Sequence, residues 1–272
     1  MSIMCCIYVP EGIVMAADSR ITRTKPTKTV DLPGTGENTK HILHVQTTYT
    51  LSDNAQKVLL IKKVGVGVSF CGNALIDGMT IADSVRKFEI EKVDELDSVA
   101  VVAQKLADCY AGKGTHFFVS GYNDDVPYVY DVNGSTVERL NIIVGTSASH
   151  DPLDAASDAA VPETGIPQNV REISEPVPIA QAPIVRCGAN WAGQMTAITK
   201  IVNNAPILNA DWDTMPLKDA IDFAEFLVDT TIKYERFCDD IQTCGGDIDI
   251  LVITKDESFW KQHKIYNPLP SK

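Results

Sequence analysis

Positions 3–9 (IMCCIYV) and 12–17 (GIVMAA) are apolar at nearly every place, odd and even alike. A half-exposed strand would alternate, so this pattern predicts two strands covered on both faces and joined at Pro10-Glu11-Gly12. Residues 21–38 are polar and carry Pro26, Pro33, Gly34 and Gly36, which reads as a long loop. Residues 41–50 have strand-like composition, and 57–61 and 64–71 predict two more strands around a Lys62-Lys63 turn. Residues 74–91 and 94–110 show apolar positions at three- and four-residue spacing and predict helices. Residues 116–122, 128–132 and 136–144 predict a meander with Asn133-Gly134 as a hairpin turn.

The pattern breaks at 145–181, a stretch rich in Ala, Asp, Ser and Pro without apolar period, read as a surface insertion or a lid. Residues 183–187 predict a strand, 191–202 and 217–237 predict helices, and 247–254 predict a last strand after Gly245-Gly246. No internal repeat is present. The order is strands, two helices, strands, two helices, strand. Two sheets packed face to face with helix pairs outside would use every apolar face, so the expected fold is α+β, a four-layer αββα sandwich. One domain is expected over about 2–260, with insertions at about 21–56 and 145–181 and an extended tail over 261–272.

Composition narrows the function classes. With 44% hydrophobic residues over 272 positions the chain can bury a substantial core. A net charge of −12 repels phosphate, so neither nucleic acid nor an anionic membrane is an expected partner. Seven scattered cysteines, an odd number, argue against a complete disulfide framework and for a reducing cytoplasm. No apolar run approaches the ~20 residues that span a bilayer, and the first residues lack a basic region ahead of an apolar one.

Several short motifs have plainer readings. Ser84-x-x-Lys87 and Ser52-Asp53-Asn54 resemble motifs of penicillin-binding enzymes, but their order is reversed and no K-T-G follows. His41 and His44 lack a third metal ligand at sensible spacing. Gly65-Val66-Gly67 lacks the context of a dinucleotide fingerprint and reads as a strand with small residues under a packed layer. Asn133-Gly134-Ser135 reads as a turn rather than a glycosylation site, and Asp247 and Asp249 as a solvated pair. No metal or cofactor is expected.

The constellation that remains is an N-terminal nucleophile. A hydroxyl on the first residue of a mature chain can use its own α-amine as base, whose ordinary pKa is roughly 7.7–8. Removal of Met1 would expose Ser2. If Pro10-Glu11-Gly12 is a three-residue loop, as a glycine in its third place favours, Val9 pairs with Ile13 and Met4 with Asp18, which puts Ser2 and Asp18 on one face as diagonal neighbours; a two-residue loop would put them on opposite faces. A buried Asp18 needs a cation, and Lys57, at the head of the next strong strand, is the candidate.

These residues carry a resemblance. Gly12-Ile13-Val14-Met15-Ala16-Ala17-Asp18-Ser19-Arg20 resembles the second strand of proteasome β-type subunits, members of the N-terminal nucleophile hydrolases. Ser2 then stands where that family has its N-terminal threonine, and Gln56-Lys57-Val58 is similar to its catalytic-lysine strand. Ser69-Phe70-Cys71-Gly72 resembles the strand end whose glycine N–H serves the oxyanion hole, and 243–249 (TCGGDID) resembles its glycine-rich turn. The similarity runs from Ser2 to about Thr254 and the family's fold is the one expected above.

The resemblance implies Ser2, Asp18 and Lys57 as catalytic residues, Gly72 as oxyanion donor, and an apolar pocket at Ile21, Ala55, Leu59, Phe70 and Ala74. Departures are equally plain. Serine replaces threonine, and only Met1 stands where the family carries a propeptide. The supporting serine falls on Ala189 or Asn190, the second supporting serine on Cys244, and the supporting aspartate on Asp239 or Asp240 with the spacing shifted. The implied activity is hydrolysis of peptide or other amide bonds. The implied partners are copies of the same chain in a homo-oligomeric ring and a peptide or protein substrate, with any ATPase partner unspecified. A catalytically inactive ring-forming scaffold and a small-molecule amidase are the alternatives.

Overall fold

The computed structural model describes residues 2–33, 40–143, 184–204 and 210–264. In chain order the elements are β1 (Ile3–Val9), β2 (Gly12–Ala17), β3 (Ile21–Pro33), β4 (Lys40–Ser52), β5 (Val58–Ile61), β6 (Val66–Gly72), β7 (Leu75–Ile76) and β8 (Met79–Thr80). There follow α1 (Ile81–Lys92), α2 (Val99–Tyr110), β9 (Thr115–Asn123), β10 (Val126–Asn133), β11 (Thr136–Arg139), β12 (Ile142–Ile143) and β13 (Ile184–Val185). The last are β14 (Gly188–Gly193), α3 (Thr196–Asn204), α4 (Leu217–Arg236), β15 (Asp249–Ile253) and β16 (Ser258–Gln262). The protein is therefore mixed α+β, with antiparallel sheets and, among the described residues, four helices. None of the described helices is long and apolar enough to cross a membrane.

Contacts divide the chain into a large unit, residues 1–141 with 186–272, and a small one, residues 142–185. The described part of the small unit is the pair β12–β13, Ile142 opposite Val185. The expected insertion at 145–181 lies outside the described residues, as do Met1 and the end of the tail, 265–272.

The large unit holds two five-stranded sheets, ordered β14-β1-β2-β15-β16 and β11-β10-β9-β6-β5. β1 and β2 are buried at every position, as their unbroken apolar runs require. Such a strand must satisfy its backbone on both edges, which is why β1 takes β14 on one side and β2 on the other. One cluster packs Val68, Phe70, Phe117 and Val119 of the second sheet against α1 and α2 through Val85, Phe88, Val102 and Leu106. Another packs Cys5, Ile7, Val14 and Val252 of the first sheet against α4 through Ala224, Leu227 and Val228. A third draws Met4, Met15 and Leu251 from the first sheet and Cys71, Phe118 and Val129 from the second. Gly67 belongs to this third contact: a Cβ there would stand 2.6 Å from Met15 Sδ and Ile253 Cδ1. Gly67 thus serves close packing, whereas Gly65 (φ 66°) faces open space and serves the turn ahead of β6.

Four expectations change. Residues 21–33 are a strand, not a loop, because Thr22 and Thr24 suit a pleated surface and pair across to β4, Thr24 Oγ1 to Thr48 Oγ1 at 2.8 Å. The register shifts between Pro26 and Lys28, where a bulge accommodates a residue without an N–H. The first helix begins at Ile81 rather than residue 74, because Asp77 (φ 51°) and Gly78 (φ 82°) turn β7 back into β8 and Thr80 then caps Asp83 N at 3.1 Å. Trp191 lies in β14, not in the third helix; of the strand expected at 183–187 only Ile184–Val185 is strand, pairing with β12, and a separate strand from Gly188 pairs with β1.

The opening hairpin also corrects the expected register. Val9 pairs with Gly12, so the loop is the two residues Pro10 and Glu11, Met4 pairs with Ala17 rather than Asp18, and the expected placement of Ser2 and Asp18 on one face as diagonal neighbours does not hold.

Candidate active site

The two-residue loop brings Asp18 opposite Ile3, one place nearer the chain start than expected. Its backbone N–H reaches Ile3 O at 3.3 Å, and its side chain turns back to accept Ile3 N at 3.1 Å through Oδ1. The same oxygen accepts Lys57 Nζ at 2.7 Å. Oδ2 accepts Arg20 N at 3.0 Å and Gly245 N at 2.9 Å. Asp18 is fully buried and Lys57 is 3% exposed. A buried carboxylate with one ammonium and three amide donors is a satisfied ion pair, so each charge is held in place by the other. Lys57 is fixed in turn because its carbonyl accepts Phe70 N from β6 at 3.0 Å.

Ser2 is set from the other side. Its carbonyl accepts Gln194 N at 2.7 Å, just past β14. Gly193 has φ 99°, and a Cβ there would stand 1.8 Å from Ser2 O, so only glycine lets the two backbones approach. Ser2 and Lys57 line one cavity of 260 Å³ together with Gly72 at the end of β6. Ile21, Ala55, Phe70 and Ala74 line it too, beside the polar Thr22, Asn54, Asn73 and Asp83.

The glycine-rich turn is held against this site by an ion pair. Arg20 Nε and Nη2 meet Asp53 Oδ1 and Oδ2 at 2.6 and 2.9 Å, and the bond from Arg20 holds the Asp53 carboxyl below the usual carboxylate range. A Cβ on Gly245 would strike the Arg20 guanidinium at 2.7 Å, and one on Gly246 (φ 74°) would strike Asp53 O at 2.2 Å. Ser19 N donates to Gly245 O at 2.8 Å, and the Ser19 hydroxyl donates to Asp247 O.

Other expected positions fall elsewhere. Leu59 is 2% exposed within the cluster under α1 and α2 and does not line the cavity, since its side chain points to the helices. Asn190 pairs with Cys6 and accepts the Tyr8 hydroxyl at 2.8 Å, and Ala189 pairs with Ile7; the residue opposite Ile3 is Gly193. Asp239 and Asp240 are exposed, and Asp240 lines a separate cavity with Gln194, Glu235 and Thr243. Cys244 is fully buried, and burial, reinforced by Asp18 and Glu235, pushes its thiol up. Asp249 is fully buried rather than solvated: it accepts Lys264 Nζ at 2.8 Å and meets His263 Nδ1 at 3.2 Å. Lys264 Nζ also donates to Ala55 O, and His263 Nε2 meets Gln56 Nε2 at 3.2 Å, which ties the residues ahead of Lys57 to the far end of the chain.

Glu235 is the residue that sequence reasoning missed. It closes α4 and accepts Thr243 N and Cys244 N at 2.8 and 2.6 Å, the Thr243 hydroxyl at 2.7 Å and Gln194 Nε2 at 2.9 Å. Burial pushes its carboxyl up, but the bonds from Cys244, Thr243 and Gln194 outweigh it and hold the group below the usual carboxylate range. It thereby joins the residue bonded to Ser2 and the turn bonded to Asp18. The available signal was an acid four places after Thr231 on the buried stripe Ala220, Ala224, Leu227, Thr231 of α4.

No protein-family model matches this sequence. No curated protein matches it.

Proposed function

We propose that this chain is a proteasome-like N-terminal nucleophile hydrolase that cleaves peptide or other amide bonds, with Ser2 as nucleophile once Met1 is removed. The observation that carries the proposal is Lys57, paired with the buried Asp18, lining the same cavity as Ser2. Met1 itself lies outside the described residues. The three side-chain clusters, two under helix pairs and one drawing on both sheets, support the four-layer αββα sandwich of that class.

In this reading the freed α-amine of Ser2 takes the hydroxyl proton, directly or through water, and Oγ attacks the amide carbonyl. Lys57 places a positive charge where the hydroxyl ionises, Asp18 holds Lys57, and the Gly72 N–H receives the oxyanion. The α-amine then returns its proton to the leaving amine, and water hydrolyses the ester. Ile21, Ala55, Phe70 and Ala74 favour an apolar substrate group next to the scissile bond. Homo-oligomeric rings are the expected assembly.

Intact mass and peptide-reporter hydrolysis test this together. Loss of Met1 with activity abolished in Ser2→Ala is the expected result; Met1 retained in active protein, or full activity in Ser2→Ala, overturns it. An inactive scaffold on the same fold is the rival. It is favoured by one feature, the buried Cys244 thiol where a supporting serine is expected. Labelling of Ser2 by a serine-reactive probe would exclude it.

A further inference from the structure

β6 ends on Cys71 and Gly72, and Cys71 stands directly opposite His116 of β9. Directly opposite residues in an antiparallel pair bring their Cβ atoms within about 5.5 Å. His116 Nε2 in turn lies 2.7 Å from Asp131 Oδ1 on β10. Three neighbouring strands thus carry thiol, imidazole and carboxylate in a row, the order in which a nucleophile, its proton partner and an orienting group act. The row is not a metal cage, since among the described residues no group of three or more His, Cys, Asp or Glu is placed to hold an ion.

Cys71 also has a route to solvent. It lines the Ser2 cavity, and its Cβ sits 3.5 Å from where a side chain at Gly193 would begin. Burial works against charge on the His116 ring, but Asp131, with Cys71 adding to it, outweighs burial and pushes the pKa up to about 9. An imidazolium beside a sulfur is the setting in which thiols react. Cys5, Cys6 and Cys244 are fully buried and Cys187 is half-buried, and none of the four stands opposite a histidine in a described strand pair. Cys238 is exposed on the surface.

We propose that Cys71 is a thiol–disulfide exchange site, taking a small disulfide admitted through the Ser2 cavity. Cys71 Sγ attacks one sulfur of the disulfide; the new Sγ–S bond forms as the old S–S bond breaks. The Cys71 thiol proton ends on the departing sulfur, so one thiol and one disulfide give one mixed disulfide and one free thiol. Cys71 is oxidised, the released half is reduced, and no further oxidant enters. His116 stabilises the sulfur anion before attack, and Asp131 keeps the ring oriented and protonated. The proposal is independent of the Ser2 hydrolase reading, because the row is complete without Ser2.

The test uses the folded full-length chain and bis(2-hydroxyethyl) disulfide, with adducts located by peptide mass spectrometry after acid quenching. Cys71 is expected to react at least about tenfold faster than Cys187, and His116→Asn to slow it by about tenfold or more, while Cys238 keeps its rate. Ser2→Ala keeps the Cys71 rate, which separates this site from the hydrolase. An unmodified Cys71 alongside a labelled Cys238, or a wild-type Cys71 rate in His116→Asn, overturns the proposal. If His116→Asn fails to fold, Asp131→Asn and the wild-type ratio of Cys71 to Cys187 decide it.

Discussion

Lys57 Nζ and Asp18 Oδ1 are 2.7 Å apart with both side chains out of water. Removing one partner strands the other charge. Lys57→Met is expected to destabilise the fold by ~3–5 kcal/mol. Lys57→Met combined with Asp18→Asn should lose clearly less than the sum of the single changes, because neither charge is then left alone. Denaturant melts of the three variants measure this, and strictly additive losses would refute the pairing.

Gly193 gives a backbone test. Gly193→Ala forces a Cβ into Ser2 O at a φ of 99°. The strain is about 1–3 kcal/mol, and relief requires Ser2 to move. On the proposed hydrolase reading, peptide hydrolysis should therefore fall further than the melting temperature does. Activity retained at wild-type level would mean that the position of Ser2 is not critical.

Glu235 makes the acid limb of stability steep. Its folded pKa lies below its unfolded value, so its contribution is present above about pH 4.5 and is lost as pH falls through the folded value. Glu235→Gln should flatten that limb and lower stability at neutral pH by about 2 kcal/mol, since the amide group opposes donors at Thr243 and Cys244. Unfolding curves between pH 3 and 7, taken as roughly the titrating range of a carboxyl, read out both effects.

His116 has the opposite sign. Its folded pKa of about 9 lies above the ordinary histidine value, so its contribution is full below about pH 6.5 and disappears as pH rises through about 9. Asp131→Asn removes the bond that raises it, and burial then pulls the ring back down. Following the imidazole C–H shifts by NMR, the midpoint should drop by about two units or more. A midpoint unchanged in Asp131→Asn would show that another group holds the proton.

The Asp18–Lys57 contact of the candidate site was legible in the chain. An acid closing a doubly buried strand must find a cation, and that physical need led from Asp18 to Lys57. The hairpin register was not legible, because Gly12 suits either the third place of a loop or the first place of a strand, and only its pairing with Val9 decides. The polar residues 21–33 hid a strand whose stability comes from cross-strand threonine pairing with β4, which has no local signature. Asn190 was misplaced for the same reason: which residue of β14 faces Ser2 follows from long-range pairing with β1. Glu235 lies more than two hundred residues from Asp18, and no spacing rule links them.

The bonds that hold the cavity join the two ends of the sequence. Asp18 takes Gly245 N, and the residues ahead of Lys57 are tied to His263 and Lys264. A ribosome therefore releases Ser2, Asp18 and Lys57 long before it makes the groups that lock them. The candidate site closes only after residues 245–264 have been made, and a shorter nascent chain carries its pieces without the bonds between them.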